Sequence, residues 1–308
     1  MELIRGLSGL SDRHRGCVVT IGTFDGIHLG HQALLGSLTE RGTRHARPRM
    51  MLTFEPMPRE YLLREGHMPA RLTSFRERWR ILERFGLEYL WLLRFGEPLR
   101  NLTGEQFAQV LGTELCARAV VIGHDFRFGR NGAANAPLLC EAGRRFGFEV
   151  EVVPAITLEG ERVSSSAVRA DLARGDFARV QRWLGRPYSM RGRVVHGNRL
   201  GRDLGFPTAN LRIERRRPPI EGIFAVRVHG AAGAALPGVA SLGRRPTVDG
   251  EHTLLEAHVF DFSADLYGRE IEVEFVAKLR EEECFPSLEA LVEQMHRDAA
   301  QARSLLNA

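Results

Sequence analysis

A change of hydrophobic period near Gly185-Arg186-Pro187 limits most strongly what this chain can fold into. Before it, short apolar runs alternate with helix-period segments, the pattern of βα units around a parallel sheet. Residues 17–21, 49–54, 89–95, 119–122 and 148–153 read as strands, and 30–38 and 106–115 as helices between them. After it come short alternating strands punctuated by Gly and Pro, at 192–195, 223–228, 253–260 and 270–276, which predict a compact antiparallel barrel. A helix over 288–306, opened by Pro286 and Ser287, follows the barrel with Leu288, Leu291, Val292, Met295 and Ala299 on one face. Pro187 disfavours continuation of the helical stretch before it, so the expected division is 1–185 and 186–308. A length of 308 residues suits two cores, since single cores stop growing near about 250 residues.

Lys and Arg exceed Asp and Glu by 43 − 38 = 5, a balance that suits anionic partners, whether nucleotides or nucleic acid. The densest basic run, 212–217 (RIERRR), has no aromatic residues interleaved and reads as a solvated loop rather than a nucleic-acid patch. Cys17, Cys116, Cys140 and Cys284 are scattered, with no C-x-x-C pair, which argues against structural zinc and a disulfide framework. No run approaches the roughly 18 apolar residues of a membrane span, and the opening MELIRGLSGLSDRHRG lacks a secretory apolar stretch. The expectation is a cytoplasmic chain with no membrane partner.

In an open parallel sheet the loops at the carboxyl ends of the strands hold the ligand. The first of these reads Gly22-Thr23-Phe24-Asp25-Gly26-Ile27-His28-Leu29-Gly30-His31 and leads into a helix. Its glycines let backbone approach a ligand closely, and the helix N-terminus offers unpaired N–H groups to phosphate. His28 and His31 lie three apart on one face, where two imidazoles can stabilise charge that develops on a phosphoryl group. Three further blocks follow later strands: Thr53-Phe54-Glu55-Pro56, Gly123-His124-Asp125-Phe126-Arg127-Phe128-Gly129-Arg130, and Arg162-Val163-Ser164-Ser165-Ser166-Ala167-Val168-Arg169. Ser164, Ser165 and Ser166 can cap a helix while binding phosphate, and Arg169 can bridge phosphate oxygens. Phe126 and Phe128 suit core packing as well as a site.

The second half carries Gly201-Arg202-Asp203-Leu204-Gly205-Phe206-Pro207-Thr208-Ala209-Asn210, a glycine-punctuated loop with two neutral oxygen donors, Thr208 and Asn210, for a hard cation. Glu256 stands in an alternating strand whose opposite face is Leu255, Ala257 and Val259. By pattern alone it is a solvated outer-face residue or a general base.

The block G-x-F-D-G-x-H-x-G-H resembles the signature of the nucleotidyltransferase superfamily, in the form found in bacterial bifunctional riboflavin kinase/FAD synthetases. Gly205-Phe206-Pro207-Thr208-Ala209-Asn210 resembles the P-T-A-N signature of the riboflavin kinase part. The resemblance runs through the chain in several spaced blocks and implies an α/β fold, with an N-terminal Rossmann-like nucleotidyltransferase domain followed by an antiparallel riboflavin kinase barrel and a terminal helix. It implies ATP-dependent phosphorylation of riboflavin to FMN and adenylyl transfer from ATP to FMN, giving FAD and pyrophosphate. Mg²⁺ would accompany ATP, and no tightly bound redox cofactor or nucleic acid is implied. His28 and His31 would stabilise adenylyl transfer. Gly22, Phe24, Asp25, Gly26, Asp125, Phe126, Arg127, Phe128, Arg162, Ser164, Ser165, Ser166 and Arg169 would bind nucleotide or flavin. In the barrel, Gly201, Gly205, Pro207, Thr208 and Asn210 would hold MgATP, with Thr208 and Asn210 at the metal and Glu256 as base.

Two positions depart from the family pattern: Met57 stands where histidine is usual in Pro-His-Pro, and His124 where an acidic residue is commoner. Two other readings stay open at this level. One is a basic RNA-binding module on an old nucleotide fold, recognisable by salt-dependent RNA affinity. The other is an active kinase beside a degenerate first domain.

Overall fold

The computed structural model describes residues 1–63, 67–197, 204–215, 217–247 and 250–307. They form two compact units, Met1–Pro69 with Arg78–Ser164 and Ala70–Glu77 with Ser165–Ala308.

In the first unit, β1 (Glu2–Arg5), β2 (Val18–Ile21), β3 (Arg49–Glu55), β4 (Tyr89–Arg94), β5 (Ala119–Gly123) and β6 (Glu149–Val153) make a six-stranded sheet in the order β1-β4-β3-β2-β5-β6. Every neighbouring pair is parallel. All four residues of β2 are buried, as a central strand covered on both faces requires. Its neighbours β3 and β5 lie on opposite sides, so the chain direction through the sheet reverses at β2, and a crevice opens at such a switch point. Helix α1 (Leu29–His45) leaves directly from the loop after β2. α2 (Pro58–Leu62) follows β3, and α3 (Phe75–Glu83) precedes β4. After β4 come α4 (Glu97–Arg100) and α5 (Gly104–Gln109), the latter started by a reciprocal Thr103–Gln106 capping box. The helix expected over 106–115 is α5 continued by a single π turn at Val110–Glu114. α6 (Ala136–Phe146) leads to β6, and a hairpin of β7 (Thr157–Leu158) and β8 (Glu161–Arg162) ends the unit. β1 is not among the strands that the sequence pattern marks.

Besides Ala70–Glu77, the second unit begins with α7 (Ser165–Arg174) and α8 (Phe177–Leu184). The expected division at 185/186 coincides with the end of α8, where Gly185 takes a left-handed φ of 66°, whereas the compact units separate at 164/165. The reason is α8's apolar face: Phe177, Val180, Trp183 and Leu184 are buried, and the Phe177 ring meets Phe224 and Phe275 of the barrel. Six strands close that barrel, β9 (Ser189–Val195), β10 (Ala209–Arg212), β11 (Gly222–His229), β12 (Leu236–Thr247), β13 (Gly250–Val259) and β14 (Glu270–Arg280). Their order is β10-β13-β12-β11-β14-β9, all antiparallel. Leu255 and Ala257 have no exposure, as their alternation predicts.

Outside the barrel, α9 (Leu288–Asn307) covers Ala225 and Phe260 with Ala302 and Leu306. Ser287 caps it, accepting from the Ala290 N–H at 3.2 Å. One expected face residue does not pack: Leu288, the first residue of the helix, is 55% exposed. The basic run at 212–217 is also not simply solvated. Arg215 is buried, donates to the Leu72 carbonyl at 2.9 Å and pairs with Glu77 at 2.5 Å, so a carboxylate distant in sequence supplies the counter-charge. All four cysteines are free. Among the described residues no helix is long and apolar enough to cross a membrane.

Candidate active sites

The loop after β2 is wound tightly. Phe24 (φ 50°), Gly26 (φ 85°) and Ile27 (φ 44°) occupy the left-handed region, which is unusual for an aromatic and more so for a β-branched residue. Phe24, Asp25 and Ile27 are buried. The Ile27 carbonyl accepts from Gln32 Nε2 at 3.0 Å, one turn into α1. His28 caps α1: its Nδ1 accepts from the His31 N–H at 3.3 Å, so the proton of its neutral ring must sit on Nε2. The His28 and His31 rings stack with centroids 3.7 Å apart, and Phe24 stacks on the other side of His31 at 4.8 Å.

Close approach explains two of the glycines. A Cβ at Gly22 would meet the Phe24 ring at 3.0 Å. One at Gly30 would lie 3.2 Å from the His28 ring and 3.6 Å from the Val163 carbonyl oxygen, which brings the segment before Ser164 beside the start of α1.

Burial, then the neighbouring His28 and then Arg78, hold the His31 imidazole well below its ordinary range, so His31 is neutral at physiological pH. Its Nδ1 is sealed from solvent and has no hydrogen-bond partner among the described residues. The same holds for Thr53 Oγ1 on the adjacent strand β3. Buried polar atoms are nearly always satisfied, so the orphaned Nδ1 of His31, in the first turn of the helix that follows β2, stands out as a group able to meet a polar ligand atom. The free N–H groups of a 17-residue helix point the same chemistry at an anion.

After β5, a turn is closed by the Phe126 N–H donating to the Gly123 carbonyl at 3.0 Å. Phe126 and Phe128 stack at 5.3 Å; Phe128 is buried in the sheet's core and Phe126 is half-buried against it. The core-packing reading therefore holds for Phe128, which anchors the pair, while Phe126 lies nearer the surface. Asp125 receives Arg162 at 2.5 Å. Although burial works against ionisation, the Arg162 guanidinium holds the Asp125 carboxyl below the usual range. Arg127 is exposed. Met57 is buried at the start of α2, where its N–H donates to Glu60 at 3.0 Å. Ser165, Ser166 and Arg169 belong to the second unit as part of α7, and Arg169 Nε donates to the Ala70 carbonyl at 2.6 Å. Sequence reasoning missed Arg78. It is 1% exposed and donates to the Thr23 carbonyl at 2.6 Å and to Glu55 at 3.3 Å.

In the second unit a cavity of about 500 Å³ lies on the outer wall of the barrel, lined by Thr208, Ser241, Glu256 and Arg280 from the barrel side and by Leu291 and Met295 of α9. Asn210 and Ser241 are the register partners of Glu256 on the two flanking strands, which sets the three in a row across β10, β13 and β12. Leu255 and Ala257, turned the other way, fill the barrel. The loop leading to Thr208 is pinned from two sides. The Pro207 carbonyl accepts from His258 Nδ1 at 2.8 Å, and the buried Phe206 ring meets His258 and His296 edge-on. Gly205 supplies the turn before it (φ 81°). Gly201 lies outside the described residues. A bidentate Arg280–Asp298 ion pair, with contacts of 2.8 and 3.0 Å, fastens α9 over the cavity.

Among the described residues no three His, Cys, Asp or Glu side chains gather to hold a metal. Thr208 and Asn210, both neutral oxygen donors, suit a hard cation that arrives on a triphosphate better than a resident ion.

The chain matches two family models in succession, FAD synthetase over residues 10–167 and riboflavin kinase over 184–306. Bifunctional riboflavin kinase/FMN adenylyltransferases are similar along their whole length. The protein from Haemophilus influenzae is 41% identical with 100% of both chains covered, and that from Escherichia coli K12 43% identical over 98% of this chain and 97% of the relative. The Pseudomonas fluorescens protein is 44% identical over 99% of this chain and 98% of its own. A crystal structure described as a macrolide-efflux protein from Streptococcus pneumoniae shares the fold, with a TM-score of 0.82 and 30% identity over 98% of this chain and 99% of that one. Two successive family models, matched in the order of the two folds and sites described above, show that this chain belongs to the bifunctional riboflavin kinase/FMN adenylyltransferase family.

Proposed function

We propose that the two family reactions run at the two sites described above and that the residues singled out in each carry them. In the kinase reaction Glu256 takes the proton of the ribityl terminal hydroxyl as its oxygen attacks the γ-phosphorus of ATP. The bond to the β-γ bridging oxygen breaks and ADP leaves. Thr208 and Asn210, with the backbone of residues 204–207, hold the triphosphate and the Mg²⁺ it brings. In the second reaction a phosphate oxygen of FMN attacks the α-phosphorus of a further ATP and pyrophosphate leaves. His28, His31 and the first N–H groups of α1 stabilise the charge that builds on the α-phosphoryl oxygens. Arg162, Ser164, Ser165, Ser166 and Arg169 bind phosphate, while Asp125, Phe126, Arg127 and Phe128 border the flavin nucleotide. The catalytic residues of the two reactions divide at 185/186, and the location we propose is the cytoplasm, where ATP is made available to both steps.

What carries the reading is the stack of Phe24, His31 and His28 at a helix N-terminus, with His31 Nδ1 unpartnered. Its test is to incubate the purified chain with riboflavin, ATP and Mg²⁺ and separate the flavins over time. FMN should appear first and FAD after it; a chain that forms FMN and never FAD would refute the proposal for the first unit.

A further inference from the structure

The tight turn at residues 22–28 needs an explanation beyond the histidines. Non-glycine residues at positive φ, here Phe24 and Ile27, are strained and persist only where the surroundings hold them. Gln32 holds the Ile27 end of the loop. The other end is held from α3. We propose that Arg78 is a positioning residue for adenylyl transfer, its buried guanidinium tying the Thr23 carbonyl at the start of the histidine loop to the Glu55 carboxylate at the end of β3.

One fork reaches both acceptors, Nη1 to Thr23 at 2.6 Å and Nη2 to Glu55 at 3.3 Å. β2 and β3 are adjacent and parallel, so Thr23, just past β2, and Glu55, the last residue of β3, lie at the carboxyl ends of neighbouring strands, where the ligand of such a sheet binds. A charge with 1% exposure is costly unless paired, and Arg78 is placed where its pairing also fixes both loops. Its position beside His31 adds to the burial that keeps that ring neutral. Lysine, a point charge on a flexible stem, can reach one of the two acceptors but does not match the fork.

The inference rests on the reading that the His28–His31 loop is the adenylyl-transfer site, and the test separates the two. Full-length Arg78→Met, Arg78→Lys and His31→Ala are compared for FAD formation from FMN and MgATP, with FMN formation by the same chain as the control. Misplacement by about 1 Å costs about a hundredfold in rate. Arg78→Met should therefore lose about that much in kcat, with KM for FMN and ATP within about threefold. Arg78→Lys should recover to within about tenfold of the native rate, because it restores charge and one contact. Amide exchange should rise at 22–28 in both Arg78 variants while β2 stays protected. A native FAD rate in Arg78→Met beside an inactive His31→Ala would overturn the role of Arg78 alone. So would a loss that lysine does not relieve, accompanied by faster exchange through the whole sheet. Native FAD formation by His31→Ala would overturn the site and, with it, the inference.

Discussion

Replacing Glu77 by glutamine should unfold the second unit at a markedly lower temperature, although the residue lies far from the barrel in sequence. The Glu77 carboxylate accepts from Arg215 at 2.5 Å, from the Arg191 N–H at 2.9 Å and from the Ser74 N–H at 2.7 Å. The Arg215 side chain has 0% exposure and Glu77 12%, so this is a pair removed from water. Removing one partner of such a pair costs about 3–5 kcal/mol, because the remaining charge stays desolvated. Glutamine keeps an acceptor for some of the backbone donors, which makes lost charge the main effect. For a unit of this size about 1 kcal/mol moves Tm by roughly 2–4 °C, so the shift should be about 10 °C. The assay is thermal unfolding followed by circular dichroism, with riboflavin kinase activity measured after brief heating at each temperature. Replacing both partners, Glu77→Gln with Arg215→Met, should recover much of the loss, since buried pairs are often replaceable by apolar groups at little cost. A Glu77→Gln protein with Tm within about 2 °C of native, or a double variant less stable than either single one, would refute the reasoning.

Other outcomes follow from the two sites. His28→Ala and His31→Ala should each lower FAD formation by about a hundredfold, the scale of one well-placed donor, while riboflavin phosphorylation continues; equal loss of both activities would mean a folding defect. Glu256→Gln should reduce kinase turnover by about a hundredfold or more and leave FAD formation from supplied FMN intact, as separate assays on the two flavins would show. Met57→His should change the FAD rate by less than about tenfold, because the buried Met57 fills a packed position and the other phosphate donors remain; strong FAD synthesis appearing only in that variant would contradict this. Finally, His31 is held below its ordinary 6.5, so the unfolded chain takes up its proton first. Its contribution is full above pH 6.5 and declines as pH falls below it. Urea unfolding at pH 7 and pH 5 should show that loss reduced in His31→Ala.

Local features were legible from sequence. The loop from Gly22 to His31 shows its strand, glycines and histidines within one short stretch, and the alternation around Glu256 separates Leu255 and Ala257 from it. What stayed hidden depends on partners remote in the chain. Arg215 lies in a run that looks solvated, and only the fold brings it Glu77, 138 residues away. Arg78 sits in a charged helix, FRERWRILE, where no pattern tells a buried arginine from an exposed one. The division at Pro187 puts α8 with the first half, yet its apolar face packs against β14 and its Phe177 ring meets Phe224 and Phe275. Periodicity reports that a face is buried, not what buries it.

The strand that carries Glu256 holds two messages on alternate residues. Even positions, Glu256 and His258, line the cavity, and odd positions, Leu255, Ala257 and Val259, are buried. A substitution can alter one track and spare the other. A single inserted or deleted residue cannot, since a slip of one place turns glutamate into the packed interior and leucine toward the cavity. β13 should therefore tolerate changes of letter far better than changes of length, whereas the exposed tip at 232–235, where Gly233 has open space around it, can absorb both.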